Sequence, residues 1–297
     1  MFVSRALENS KHCVFCLLSI PERISFHCVK ESCMLFIISP AKKMVDASDS
    51  FAWRDMPRFL PQTRELLDAL RALSYDEAKA LWKCSDALTE LNYERVMHMD
   101  VEAAESCTPA VFSYEGIQYQ NMAPHVLTAD QLEYLQNHLR ILSGFYGVLR
   151  PFDAVVPYRL EMQAKLAVGD ARTLYGFWGS RLFDVLVDEL DQQRKACDPC
   201  EGIIVNLASV EYAKAVEPYA RASALQGGVR YVTCLFGSMR NGKFAQRSTE
   251  AKAARGTFVR WCTENDIESP ADFPRFDMGG YEFDRKLSSE DAFVFVH

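Results

Sequence analysis

The sequence predicts a mixed α/β (α+β) fold, a β core surrounded by helices. Three observations carry that expectation. Short runs of β-branched, aromatic and other apolar residues stand at 34–39 (MLFIIS), 203–208 (IIVNLA), 229–236 (VRYVTCLF) and 293–296 (FVFV), and runs of this length read as buried strands. Between them lie longer stretches with leucines at helical spacing behind recognisable start signals. Strands and helices alternate without a regular βαβ repeat, so the class is mixed.

In chain order, MLFIIS opens the ordered core and is closed by Ser39-Pro40. Pro61 to Ala72 carries Leu66, Leu67 and Leu70 on one side of a helix. Ser74 with Glu77 forms a capping box that starts a second helix, running to about Asn92. Thr128 with Gln131 is another such box, with Leu127 and Leu132 placed for a hydrophobic staple. Leu132, Leu135, Leu139 and Leu142 then keep helical spacing up to Gly144. Gly179 to Lys195 and Thr249 to Glu264 also read as helices. Arg240-Asn241-Gly242-Lys243 predicts a tight hairpin, because Asn-Gly accepts the positive φ angles of a type I′ turn.

At 297 residues the chain is long enough to bury a substantial core, and residues 34–297 read as a single domain. Apolar content of 49% and charged content of 25% suit a soluble globular protein. No window approaches the roughly 18 unbroken apolar residues of a membrane span, so a cytoplasmic protein without a membrane partner is expected. The formal charge of −7 excludes a surface that coats nucleic acid everywhere, and any basic site must be local. Residues 1–33 have no clear period and read as a poorly ordered N-terminal extension. Its Cys13-x-x-Cys16 is a zinc half-site, but Cys28 and Cys33 are too widely spaced to complete it, so no metal is expected. The ten cysteines read as reduced thiols; Cys84, Cys107, Cys234 and Cys262 are buried small hydrophobes, and Cys197-Asp198-Pro199-Cys200 is inert in its polar loop.

The stretch HLRILSGFYGVLRP, residues 138–151, poses the sharpest functional question. Gly144 fits the left-handed residue that ends a helix. Gly144 and Gly147 together also fit a tight turn that aims backbone N–H groups at a phosphate. Arg140, Arg150, Arg159, Lys165 and Arg172 surround this turn against few acids, with Tyr146, Phe152 and Tyr158 interleaved, a composition open to base stacking or to ordinary burial. Ser39-Pro40-Ala41-Lys42 matches the Ser-x-x-Lys of serine acyl enzymes, but the accompanying Lys-Thr-Gly and Ser-Asp-Asn are missing. Lys42 nevertheless follows a buried strand, where ligand loops commonly sit. The six histidines form no metal-ligand pattern, and no P-loop, nucleophile elbow or dinucleotide-binding glycine motif is present.

Several segments, in order, resemble the YaaA peroxide-stress family: MLFIISPAK (34–42), HLRILSGFYGVLRPFD (138–153), PYRLEMQAKL (157–166), LYGFWG ending at Gly179, NLASVEYAKAV (206–216), NGKF (241–244), AKAARG (251–256) and GYEFDRKLSSEDAFVF (280–295). The resemblance implies a family-specific fold with a helix-hairpin-helix element, here at Leu142 to Leu149, beside a positive cleft. It further implies a cytosolic peroxide-stress protein that lowers free intracellular iron and binds duplex or distorted DNA without strong sequence specificity. Carried over residue by residue, the DNA-binding set is Lys42, Lys43, Gly144, Gly147, Arg150, Arg159, Lys165, Lys214, Lys252 and Arg255. This chain departs from the family pattern in having Lys43 for threonine, Ala253 for lysine, Gln163 for glycine and Val210 for Asp or Asn.

The rival expectation is an enzyme acting on a small anionic substrate, with Lys42, Arg159, Glu161, Asn206 and Glu211 converging on one pocket. Arg159 would bind the anion and Glu161 or Glu211 would act as general base. An iron-binding protein ranks third, since only carboxylates are on offer. No cofactor and no obligate protein partner are implied. Geometry separates the first two: a closed pocket around Lys42 and Glu161 favours the enzyme, whereas an open groove favours DNA.

Overall fold

The computed structural model of the protein describes residues 33–49, 51–195 and 200–297. Cys13, Cys16, Cys28 and Cys197, with the metal and redox readings attached to them, lie outside the described residues. The mixed α/β class holds: a central mixed sheet is surrounded by helices.

Among the described residues the main sheet has eight strands: β1 (Cys33–Ile38), β2 (Leu139–Ser143), β3 (Gly147–Leu149), β4 (Gly202–Asn206), β5 (Arg230–Arg240), β6 (Lys243–Ala245), β7 (Glu282–Phe283) and β8 (Ala292–Val296). Their order is β7-β8-β5-β4-β1-β2-β3, with β6 paired to β5. β8, β5, β4, β1 and β2 run parallel, while β7, β3 and β6 are antiparallel additions. All residues of β1 and β4 are buried. Covered on both faces, such strands have no use for polar alternation, which is why they appear in the sequence as unbroken apolar runs.

The chain leaves β1 for β2 on one side and later returns to lay β4 on the other, so β1 and β4 flank a topological switch point. Open parallel sheets bind ligands in the crevice beyond the carboxyl ends of such strands. Here that position is taken by Ser39–Lys43 after β1 and by Leu207–Tyr212 after β4.

The helices include α1 (Leu60–Arg71), α2 (Tyr75–Trp82), α3 (Asp86–His98), α4 (Ile117–Met122), α5 (Ala129–His138), α6 (Arg181–Arg194) and α7 (Ser248–Glu264), besides Glu217–Ala224 and several pieces of three to five residues or of 3-10 type. Both capping boxes form as the sequence predicts, at Ser74 with Glu77 and Thr128 with Gln131. The Asn241-Gly242 turn has φ of 50° and 73°, the positive pair that a type I′ turn demands. Among the described residues, no helix is long and apolar enough to cross a membrane.

Three expectations need correction. The helix from Ser74 is broken at Lys83, which takes the left-handed conformation (φ 48°) and separates α2 from α3. The helix expected to reach Gly144 stops at His138, and Leu139–Ser143 is strand β2. Leu139, Ile141 and Leu142 satisfy a helical pattern, but both faces of this strand are buried, and alternation is lost for the same reason as in β1. Residues 142–149 therefore form a strand-turn-strand hairpin instead of the helix-hairpin-helix, with Ser143 opposite Gly147. Finally, Cys33 and Cys200 are joined as a disulfide with Cα atoms 6.1 Å apart, against the expectation of reduced thiols throughout.

Candidate functional site

One cavity of about 620 Å³ opens at the switch point, bounded by segments 39–43, 115–119, 158–161, 209–212 and 248–255. Strand ends supply the first and fourth. The serine that closes β1 ties them together: Ser209 N–H donates to Ser39 Oγ at 2.9 Å, and Ser39 Oγ lies 3.2 Å from Ser209 Oγ. Tyr119 of α4 donates its hydroxyl to the Ser39 carbonyl at 3.0 Å, which fixes the second.

Helix α7 supplies Lys252 and Arg255, and it reaches the cavity because it presses on α4. Gly256 makes that approach possible, since a Cβ there would collide with the Gln118 carbonyl. This is the physical content of AKAARG: two cations on the cavity side and a residue without a side chain at the helix crossing.

The cavity wall carries five cations, Lys42, Lys43, Arg159, Lys252 and Arg255, against three carboxylates, Glu115, Glu161 and Glu211. Glu161 bridges two of the cations, its Oε1 lying 3.0 Å from Arg159 Nη2 and 3.3 Å from Lys42 Nζ. Lys43 Nζ pairs with Glu115 at 2.7 Å. Lys252 and Arg255 have no ion-pair partner among the described residues, and the buried Arg255 Nε has no hydrogen-bond acceptor. Partial burial lowers the Arg255 pKa from its ordinary value, as expected of a guanidinium that has lost part of its water and has no carboxylate beside it among the described residues. Arg159 Nε is likewise buried and unpartnered.

Glu211 is the second acid. Burial raises its pKa, and the neighbouring Glu161 adds to the rise, while the Gln163 N–H (3.2 Å from Oε1) and Lys42 oppose it. A half-buried carboxyl tuned upward is a competent acid–base group. Tyr119, Tyr158 and Tyr212 also line the cavity, and burial raises all three phenols, Tyr158 to about 12, so they remain protonated donors.

The sequence-predicted residues divide into three groups. Lys42, Lys43, Arg159, Lys252, Arg255, Glu161 and Glu211 meet at the cavity. Asn206 ends β4 just beneath it and is buried, with its Oδ1 accepting the Ala208 N–H at 2.9 Å. The others stand apart. Arg150 belongs to a different cluster, pairing with Asp55 at 3.2 Å and Asp153 at 3.3 Å beside a smaller cavity. Lys165 and Lys214 are exposed and do not line the cavity. Arg140 is 4% exposed and is held inside the protein by Glu189, so it adds nothing to a positive face.

Gly144 and Gly147 are buried, which answers the question their motif raises. Both amides of the turn between them, Phe145 N–H and Tyr146 N–H, donate to Ser143 Oγ at 3.1 and 2.8 Å. They are consumed inside the fold and do not face a phosphate. The interleaved aromatics Tyr146, Phe152 and Tyr158 are 0%, 5% and 5% exposed and pack in the core. Lys42 Nζ faces Glu161 and Ser39 Oγ faces Ser209, so the Ser-x-x-Lys pair is not engaged as a nucleophile with its base.

Sequence reasoning missed Glu115, Tyr119, Ser209 and Tyr212. Ser209 and Tyr212 stood within the quoted NLASVEYAKAV segment; nothing around Glu115 or Tyr119 marked them. Val210, where the family pattern has a polar residue, is 80% exposed on the cavity's rim.

A family model described as peroxide stress protein YaaA matches residues 34–287. A UPF0246 protein of Lachnoclostridium phytofermentans is 46% identical over 263 residues, covering 89% of this chain and 96% of the relative. A UPF0246 protein of Pediococcus pentosaceus is also 46% identical over 263 residues, with 89% and 98% covered. One from Lactiplantibacillus plantarum is 46% identical over 264 residues, with 89% and 99% covered.

Proposed function

Because the chain belongs to the YaaA peroxide-stress protein family, we propose that its contribution to that response is made in the switch-point cavity, by binding and acting on a small anionic metabolite. The observation that carries this reading is Arg255, a half-buried guanidinium in the cavity wall whose buried Nε has no acceptor and which pairs with no carboxylate among the described residues. A buried charge left without a partner is costly, and an anion in the cavity removes that cost. The volume of about 620 Å³ lies within the roughly 300–1,000 Å³ typical of small-molecule sites.

In this reading Arg255, Lys252 and Arg159 hold the anionic group, and Glu161 keeps Arg159 and Lys42 in register. Glu211 takes or gives a proton beside the bound group. The DNA reading drew on Gly144, Gly147 and Arg150 as well, and the buried turn amides and the pairing of Arg150 with Asp55 and Asp153 remove its hairpin support. What remains of it is a backbone phosphate seated at the same cationic mouth.

Isothermal titration with inorganic phosphate and with a short duplex, each at two salt concentrations, separates the two. Phosphate binding that falls at least tenfold in Arg255→Gln supports the metabolite site. Tight, steeply salt-dependent duplex binding with no response to phosphate would replace it with the DNA reading.

A further inference from the structure

Behind the cavity lies a chain of three hydroxyls whose hydrogen-bond directions are fixed by counting donors and acceptors. Ser143 Oγ receives the N–H groups of Phe145 and Tyr146, at 3.1 and 2.8 Å. A hydroxyl has two lone pairs and one proton, so both acceptor positions of Ser143 are filled. Its proton therefore goes to its remaining partner, Tyr158 Oη, at 2.6 Å. Tyr114 Oη stands at the far side of Tyr158, 2.8 Å away, and this is its one hydrogen bond among the described residues.

Two arrangements follow. If Tyr158 donates to Tyr114, the Tyr114 proton is buried with no acceptor, since Tyr114 is 3% exposed. Leaving a buried donor unsatisfied carries the full desolvation penalty of that group. If Tyr114 donates to Tyr158, the Ser143 and Tyr114 protons are both satisfied and Tyr158 Oη accepts twice. The unspent hydrogen is then that of Tyr158 itself, and of the three residues only Tyr158 lines the cavity. Tyr119, its neighbour in the wall, already donates to the Ser39 carbonyl at 3.0 Å and does not compete for the role.

We infer that Tyr158 presents its phenolic hydrogen to the cavity, as a donor for an oxyanion of the bound molecule, with Ser143 and Tyr114 as the positioning residues that aim it. The inference rests on the metabolite reading and narrows it: the ligand carries an acceptor oxygen, as in a phosphate or carboxylate, that meets Tyr158 while the guanidinium of Arg255 neutralises its charge. Two donors on one phenol oxygen also make that phenol a stronger donor than an isolated tyrosine, because hydrogen bonds in series polarise one another.

The test uses inorganic phosphate as probe on the full chain. Tyr158→Phe keeps the ring and removes the hydroxyl, and phosphate affinity is expected to fall about tenfold or more, the usual yield of a hydrogen bond to a charged group. Tyr114→Phe, which removes one of the two polarising donors but leaves the Tyr158 hydrogen in place, is expected to fall severalfold less. Protein carrying 3-fluorotyrosine gives a second readout that does not depend on a variant's stability: the Tyr158 fluorine resonance, assigned by its absence from Tyr158→Phe, should move on adding phosphate to the wild-type sequence. If Arg255→Gln loses phosphate and Tyr158→Phe keeps it, with the fluorine resonance unmoved, Tyr158 is not the donor although the anion site stands. If the unmodified chain binds no phosphate, this assignment falls together with the metabolite reading.

Discussion

Gly144 and Leu160 lie so close that a Cβ built on the glycine would sit 2.6 Å from the Leu160 carbonyl oxygen. The same Cβ would stand 3.1 Å from the Glu161 carbonyl carbon and 3.2 Å from Met162 N. The hairpin thus acts as a backstop for the segment that carries Arg159 and Glu161. Gly144→Ala should cost roughly 1–3 kcal/mol, the scale of overpacking a rigid interior, and urea denaturation will read it. A neutral result would mean that the hairpin does not bear on residues 160–162.

Glu161 is the anion that holds Lys42 and Arg159 together at the cavity. Glu161→Gln removes that charge while keeping the shape. Two opposed changes are expected: stability falls, because the nearly buried Arg159 is left unpaired, and phosphate binds more tightly, because two cations are released to it. Denaturation and titration on the same preparation check both, and a fall in affinity would show that Glu161 contacts the ligand instead of competing with it.

Asp153 gives a stability signature with a definite sign. Burial pushes its pKa up to about 7, against the pull of the Arg150 N–H and the Arg150 guanidinium. A carboxyl whose folded pKa lies above its unfolded value stabilises the fold below the unfolded value, near 3.8, and loses that contribution as pH rises to about 7. The wild-type stability, measured relative to Asp153→Asn, should therefore decline between those limits, by at most about 1.4 kcal/mol per pH unit. A difference curve that is flat or rises would place the pKa of Asp153 at or below the ordinary carboxylate range.

Glu211 gives a binding signature in the same direction. Burial and Glu161 raise its pKa, so the cavity gains a negative charge as pH climbs through a range above that of a free glutamate. Sulfate keeps a constant charge across that range, and its affinity should weaken as the carboxyl ionises. Glu211→Gln should flatten the profile, as followed by titration from pH 4 to 8. A wild-type profile already flat would remove Glu211 from the neighbourhood of the bound anion.

Much of this architecture was legible from residues alone. The four apolar runs are strands, both capping boxes start helices, and Asn241-Gly242 turns its hairpin. Five of the basic residues carried over from the resemblance share a cavity with Glu161 and Glu211. The failures have a common cause, which is burial on two sides. It erased the alternation that would have marked Leu139–Ser143 as a strand and gave its leucines an accidental helical period. It also hid the Gly144–Gly147 amides from any ligand. Arg140 and Arg150 looked like surface charge because the sequence does not reveal that Glu189, Asp55 and Asp153 lie against them. Glu115, in a two-residue strand Tyr114–Glu115, and Tyr119, in α4, reach the site through tertiary packing, a relationship that no local pattern encodes.

The cavity wall is contributed by stretches as remote as Ser39 and Arg255, which meet only across the completed sheet. No partly folded chain contains the site, so an occupant has affinity for the native state alone and shifts the folding equilibrium by mass action. If the proposed anionic metabolite occupies the cavity, occupancy and conformational integrity are one equilibrium, and a cell rich in it would hold more of this protein folded.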